Sequence, residues 1–242
     1  MRLTVLSLAV TALCLSSTPW GNVAAWRAAQ TGQVAANTLT PAEKAAGWRL
    51  LFDGTTTAGW RGFRKTGMPA GWSVESGALT RTAPAGDIVS VDEFENFELA
   101  FDWMLKPKGN SGVFFRATED EKEVWQTAPE YQILDNQGHA DGMKPETSAG
   151  SDYALHAPIR DVTRPVGQWN QARILVKGAH VEHWLNGVKL LEYELWSPDW
   201  KALVAKSKFA KYPGFAMAKR GRVAIQDHGD WVSYRNIKIR TL

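Results

Sequence analysis

From about residue 49 onward, short apolar or alternating runs are broken by clusters of Gly, Asn, Asp and Pro. That rhythm is the signature of strands joined by turns. It predicts strands over 49–53, 72–80, 88–91, 97–105, 111–117, 130–135, 153–157, 171–177, 181–185, 188–193, 222–226 and 233–241. Asn186-Gly187 lies between VEHWL and VKLLEY. Asn-Gly tolerates the two positive φ angles of a type I′ turn, so these runs form a hairpin. Helical spacing occurs late, in WKALVAKSKFAK, where Ser197 caps the start, Pro198 opens the first turn and Asp199 faces the positive end. A second, shorter helix begins at Thr40-Pro41-Ala42-Glu43 and stops at Gly47. There is no βαβ rhythm and no internal repeat. The pattern therefore predicts an all-β protein: a two-sheet antiparallel β-sandwich with one late surface helix.

The first residues follow a different rule. One basic residue, Arg2, precedes an apolar run from Leu3 to Leu15, then a polar stretch and Val23-Ala24-Ala25. The run is short for a membrane span, and small residues sit where a signal peptidase cuts. Residues 1–25 are expected to be a secretory signal peptide, 26–46 a linker with the short helix, and 47–242 the folded domain. The product would be exported, to the periplasm or beyond the cell, with no stable membrane insertion once the leader is removed. Cys14, the one cysteine, lies in the leader, and Leu13 before it is not the small residue that lipidation wants. The remaining chain has no thiol for disulfides, metal ligation or nucleophilic attack.

The net charge of +3 is modest and no Lys/Arg run tracks along the chain, so the footprint of a nucleic-acid partner is missing. Twelve tryptophans are many for 242 residues. Indoles fill cores and also stack on sugar rings, so they raise carbohydrate binding without deciding it.

Candidate chemistry sits in four segments. In GNSGVFFR, Arg116 ends an apolar strand and needs a partner or a ligand. In EYQILDN, Glu130 and Gln132 share a face of what reads as a mid-sheet strand. Asp135, an odd number of residues away, faces the other side. QDHG brings Gln226 and His228 to a strand end, where a histidine can act as acid, base or ligand. The long loop 136–153 offers His139, Asp141, Lys144 and Tyr153. His139 and Asp141 alone are a weak metal signal. His183, between Val181 and Leu185, reads as a hydrogen-bonded core histidine. The E-x-D-x-x-E strand of sandwich glucanases, G-x-S-x-G, H-E-x-x-H and phosphate-binding loops are all missing.

Taken in order, LFDG…GW, GNSGVFFR, EYQILDN, VEHWLNG and GRVAIQDHG…YRNIKI closely resemble the 3-keto-disaccharide hydrolase domain family, from about Leu51 to Leu242. The resemblance implies a jelly-roll, concanavalin A-like sandwich that acts on glycosides already oxidised to a ketone at C3, small-molecule carbohydrate being the partner. Such a ketone acidifies the C2 hydrogen. One base, one enolate stabiliser and one proton donor then suffice, without the paired carboxylates of an ordinary glycosidase. The matched positions suggest His228, Glu130 and Arg116 as catalytic residues. Gln132, Asp135, Tyr153, Lys144, Gln226 and His139 are then substrate-binding. No cofactor is expected and no metal ligands are assigned, with a divalent cation left open. The rival readings are a non-catalytic carbohydrate-binding module, a structural or adhesion sandwich and an ordinary glycosidase. If the leader is cut as expected, mass spectrometry of the exported protein finds a first residue near Trp26; an intact Met1 in a soluble pool would refute it.

Overall fold

The computed structural model of the protein describes residues 35–242; the expected leader, Cys14 and residues 26–34 of the lead-in lie outside the described residues. The larger sheet has eight strands, in the order β11 (Val188–Glu194), β10 (His180–Leu185), β9 (Asn170–Lys177), β6 (Phe97–Leu105), β13 (Val232–Thr241), β4 (Ala78–Arg81), β3 (Trp72–Glu75). Its eighth strand, β1 (Arg49–Leu50), pairs with β13. The smaller sheet runs β2 (Trp60–Gly62), β5 (Ile88–Phe94), β12 (Gly221–Ile225), β7 (Asn110–Ala117), β8 (Glu130–Leu134). Neighbours in both sheets are antiparallel. The expected sandwich is therefore the observed fold.

Strand alternation builds its core. Val113 and Phe115 of β7 and Tyr131 and Ile133 of β8 face Leu99 and Phe101 of β6 and Ile174 of β9 in one apolar cluster. The outer face of the smaller sheet is covered as well. Phe114 of β7, Val89 of β5 and Ala224 of β12 pack there with Val124 and Ala128 from the 118–129 segment. Every residue of β7 is buried in consequence, which is why Val113, Phe114 and Phe115 are apolar in succession instead of alternating with polar residues.

Several expectations need correction. The single strand over 72–80 is a hairpin, β3 and β4, turned at Ser76 and Gly77, both with positive φ (50° and 78°). The segment 153–157 is no strand; Asp152 makes single bridges to Tyr131 and His156 instead. β2 was not foreseen. The late helical run also breaks: α1 (Pro41–Ala45) is the short helix expected early, but α2 covers only Pro198–Lys206. Ser207 caps a separate 3-10 turn, Lys208–Lys211, by accepting from the Phe209 N–H at 3.1 Å. A serine inside a helical run offers this competing local bond.

β8 is an edge strand rather than a mid-sheet one. Its free edge is closed by the returning loop, through Gln132 N–H to Ser151 O, Gly150 N–H to Gln132 O and Tyr153 N–H to Glu130 O (3.2, 2.8 and 3.1 Å). At the other end of β7, Arg116 adopts φ 54°, and β12 shifts register between Arg222 and Ala224. Gly221 makes room for this bulge: a Cβ there would come within 2.5 Å of the Arg116 carbonyl carbon. Gly221→Ala is expected to cost about 1–3 kcal/mol of stability in urea unfolding; an unchanged midpoint would show that the bulge can move.

Candidate functional site

Register on the smaller sheet places chemistry side by side. Phe114 pairs with Glu130 and Gly112 with Gln132 across β7 and β8, while Gln226 donates its N–H to Gly112 O at 2.9 Å. On the outer face, Gly112 is thus flanked by Gln226 and the two β8 side chains. The missing side chain at Gly112 is essential to the arrangement. A Cβ there would overlap Glu130 Oε1, so the Glu130 carboxylate lies directly across this glycine.

Glu130 is buried, at 6% exposure, and no described residue gives its carboxylate a hydrogen bond. Burial pushes its pKa well above the ordinary carboxylate range. The Lys208 charge opposes this, and Asp87, Asp141 and Asp152 add to it. The Lys208 ammonium sits over three rings, 4.4 Å from the Tyr153 centroid, 4.9 Å from Trp125 and 5.3 Å from Phe209. Desolvation lowers its pKa, with Glu130 pulling the other way. Lys208 makes no hydrogen bond or salt bridge with the described residues, although most of its stem is exposed.

A second carboxyl with a raised pKa borders the same face. Burial pushes Asp87, just before β5, up to about 7, while the Asp227 N–H donated to its Oδ1 at 2.8 Å pulls it back. Asp227 is the hub of this corner. Its carboxylate accepts from Arg81 Nε (2.7 Å) and from the N–H groups of Ala85, Gly86 and Gly229 (2.7, 2.9 and 2.9 Å). Burial alone would raise its pKa; these donors and the Arg81 charge hold it below the ordinary value. The QDHG turn is thereby pinned, leaving His228 at the rim, 46% exposed, with its ring 6.0 Å from that of His139.

His139 Nδ1 accepts the Asp141 N–H (3.1 Å), which places a neutral ring's proton on Nε2. Nε2 lies 3.5 Å from the Asn110 side-chain amide, whose oxygen is buried and unpaired. The amide orientation that turns this oxygen to His139 satisfies both groups. Gln226 Oε1 is likewise buried and unpaired among the described residues. Tyr153 donates to Asp141 Oδ2 at 3.2 Å, and burial raises its pKa.

Of the expected site residues, the structure gathers Glu130, Gln226, Tyr153, His139 and His228 around this face. Gln132 is buried there too, but its amide holds the loop at Thr147 O (3.4 Å). Asp135 is turned away: it accepts the N–H groups of Lys108 (2.8 Å) and Gln137 (3.2 Å) and fixes the turn after β8. Lys144 is exposed, and its ammonium pairs with no group among the described residues. Arg116 is not brought to the site. Its guanidinium donates to Glu95 O (3.0 and 2.7 Å) and Gly178 O (2.9 Å), stitching two turns together. The sequence reading missed Lys208, Asp87 and Trp125. Helical patterning hid Lys208, and neither of the others belongs to a motif.

Comparison with known proteins now bears on this face. Residues 47–240 match the family model described as the 3-keto-alpha-glucoside-1,2-lyase-like domain. The chain belongs to that family. Membership in the 3-keto-alpha-glucoside-1,2-lyase-like family, which is the one its motifs resemble, gives it a carbohydrate-active hydrolase-family role. A relative from Bacteroides thetaiotaomicron, a 3-keto-disaccharide hydrolase, is 34% identical over 230 residues, covering 82% of this chain and 79% of the relative. A solved structure from Parabacteroides distasonis, provisionally described as a glycosyl hydrolase, superposes with TM-score 0.80 at 34% identity, over 86% of this chain and 100% of that one. A galectin-like protein from Bacillus subtilis shares the fold alone, at 12% identity and TM-score 0.50, over 86% of this chain and 95% of that one.

The two arginine roles separate experimentally. Arg116→Ala leaves the Glu95 and Gly178 carbonyls without this donor and is expected to cost about 1–3 kcal/mol of stability, while the folded fraction keeps its turnover. Loss of turnover with stability intact would return Arg116 to the site.

Proposed function

We propose that this protein cleaves glycosides carrying a ketone at C3, with Glu130 as the base that removes the C2 hydrogen. The observation that carries this reading is the Glu130 carboxylate: buried, without a hydrogen bond among the described residues, seated over Gly112 and under the influence of the Lys208 ammonium. A base of this kind has a pKa raised toward neutrality and is not quenched by donors.

In the proposed reaction the Glu130 carboxylate takes the C2 proton. The C–H electron pair moves into the C2–C3 bond and the carbonyl pair onto the C3 oxygen, forming an enolate that Lys208 stabilises. The enolate electrons then return to form the C1–C2 double bond, and the C1–O bond breaks. The departing oxygen takes a proton from protonated Glu130 or from the Tyr153 hydroxyl. Products are an alcohol and an unsaturated keto sugar; water adding across the new double bond gives net hydrolysis. Gln226, His139 and His228 border the substrate. Export is part of the proposal, since the leader would send the enzyme to meet oxidised sugars outside the cytoplasm.

The test is incubation with a 3-keto-glycoside and with its unoxidised parent. Cleavage of the keto compound alone is expected; equal cleavage of the parent would sink the keto-activated mechanism, and binding without product would select a carbohydrate-binding module. Glu130→Gln should lower kcat at least about a hundredfold, the usual scale of a general base. The variant should also raise the urea midpoint at neutral pH. Glu130's folded pKa is raised, so its ionisation costs stability as pH climbs above the ordinary carboxylate range, and Gln removes that cost. The acid limb of kcat/KM follows Glu130 ionisation. Lys208→Met removes the charge that holds this pKa down, so the limb should move to higher pH; a limb that stays put would remove Lys208 from the mechanism.

A further inference from the structure

Asp87 is a titratable group on the Glu130 face that the reaction of Glu130 leaves unused. Strand alternation places it there. Val89, two residues further along, packs on the outer face of the smaller sheet with Ala224 of β12 and Phe114 of β7. Gln226 and Gly112 stand two residues from those partners, so Asp87, Gln226 and Gly112 form one row across β5, β12 and β7. The Glu130 carboxylate reaches into that row from β8, across Gly112. Asp87 Oδ1 accepts the Asp227 N–H at 2.8 Å, which draws its carboxyl toward the end of β12. Neighbouring strands lie roughly 5 Å apart, so the two carboxyls flank a gap on the order of 5–10 Å, enough for one pyranose ring standing on Gln226 and Gly112. The two groups also act on each other, since the Asp87 charge helps to raise the pKa of Glu130.

The second oxygen, Asp87 Oδ2, makes no hydrogen bond among the described residues and is not sealed from solvent, so a proton held there is within reach of a bound molecule. Burial first, and then the negative charges of Glu123 from the 118–129 segment and Asp227 from the QDHG turn, favour that proton near neutral pH. The Asp227 N–H opposes them. Glu130 faces Asp87 from β8, and Lys65, in the turn after β2, donates to Ala85 O at 3.1 Å two residues before it. Tyr153 is a poorer acid, because it already donates to Asp141 Oδ2 and burial raises its pKa. On an α-glucoside ring the C2 hydrogen and the C1 oxygen are both axial and point to opposite faces. A base that takes the one does not reach the other, and the departing oxygen needs an acid on the far side of the ring.

We propose that Asp87 is the second catalytic residue of this face, the acid that protonates the C1 oxygen of an α-glycoside as it leaves. The proposal rests on the C3-keto reaction with Glu130 as its base, and it puts Asp87 in place of Tyr153 or protonated Glu130 at that step. As the enolate pair forms the C1–C2 double bond, the C1–O bond breaks and its oxygen takes the Asp87 Oδ2 proton. That leaves an Asp87 carboxylate and a protonated Glu130. Addition of water runs the pair in reverse. The Asp87 carboxylate takes a proton from water as the water oxygen bonds to C1, and Glu130 returns its proton to C2. Both groups end in the states in which they began, with water the one co-reactant.

The experiment compares methyl and 4-nitrophenyl 3-keto-α-glucosides as substrates of the full chain. Methanol leaves only with a proton, whereas nitrophenolate leaves without one. Asp87→Asn keeps an acceptor for the Asp227 N–H. It is expected to lower kcat on the methyl glycoside at least about a hundredfold while the nitrophenyl rate stays within about threefold. Equal losses on both substrates, or an unchanged methyl rate, would overturn the proposal. If the Asn variant does not fold, the wild-type pH profiles decide. Above neutral pH the nitrophenyl rate should keep rising with Glu130 ionisation, while the methyl rate turns down as Asp87 loses its proton; parallel profiles would count against the acid. The base is judged separately. Glu130→Gln should lose both substrates, and a variant that kept its nitrophenyl rate would remove Glu130 while the Asp87 result stood. Wild-type protein that cleaves neither keto-glucoside would overturn both assignments.

Discussion

An ionisable carboxyl buried without a hydrogen bond is an expensive object, and the architecture around Glu130 is organised to keep it so. Removing a carboxylate from water costs several kcal/mol unless charge or donors compensate. Among the described residues the relief comes from one lysine held over aromatic rings. The glycine beneath it, the covered outer sheet face and the loop sealed against β8 all serve to hold that group in place. A general base needs this kind of tension, because full satisfaction by donors would drop its pKa and remove its appetite for a proton.

Charges elsewhere on the molecule are treated in the opposite way. Arg81 and Asp227, with side chains 9% and 5% exposed, are saturated by each other and by backbone groups. Arg116 is spent on two carbonyls, and Glu98 is gripped by both Arg173 and Arg240. Asp227 and Glu98 are thus saturated by donors, whereas the Glu130 carboxylate has none among the described residues.

The fold was legible because its signals are local. Alternation, Asn186-Gly187 and the Ser197-Pro198 start each depend on a few adjacent residues, and each is where it should be. Glu130 was legible too, since period-2 facing and the EYQ motif pointed to it. Arg116 misled because a strand-end arginine looks the same in sequence whether its partners are ligands or carbonyls; only the bulge at φ 54°, a tertiary matter of Gly221 packing, turns it away. Lys208 was hidden for the reverse reason. Its neighbours continue a helical pattern, and the break at Ser207 is a contest between a side-chain cap and the helix ladder that periodicity alone does not settle. Asp87 owes its raised pKa to burial, and its backbone donor is Asp227, 140 residues away; no spacing rule reaches that far.

The loop that supplies His139, Asp141 and Tyr153 also supplies the backbone partners for the outer edge of β8. An exposed strand edge is a template for pairing with another chain. In this protein the segment that assembles the reactive face is therefore also the guard against self-association. Adaptation of that loop to new sugars is constrained by solubility as much as by catalysis, and substitutions that loosen it will be met first as aggregation.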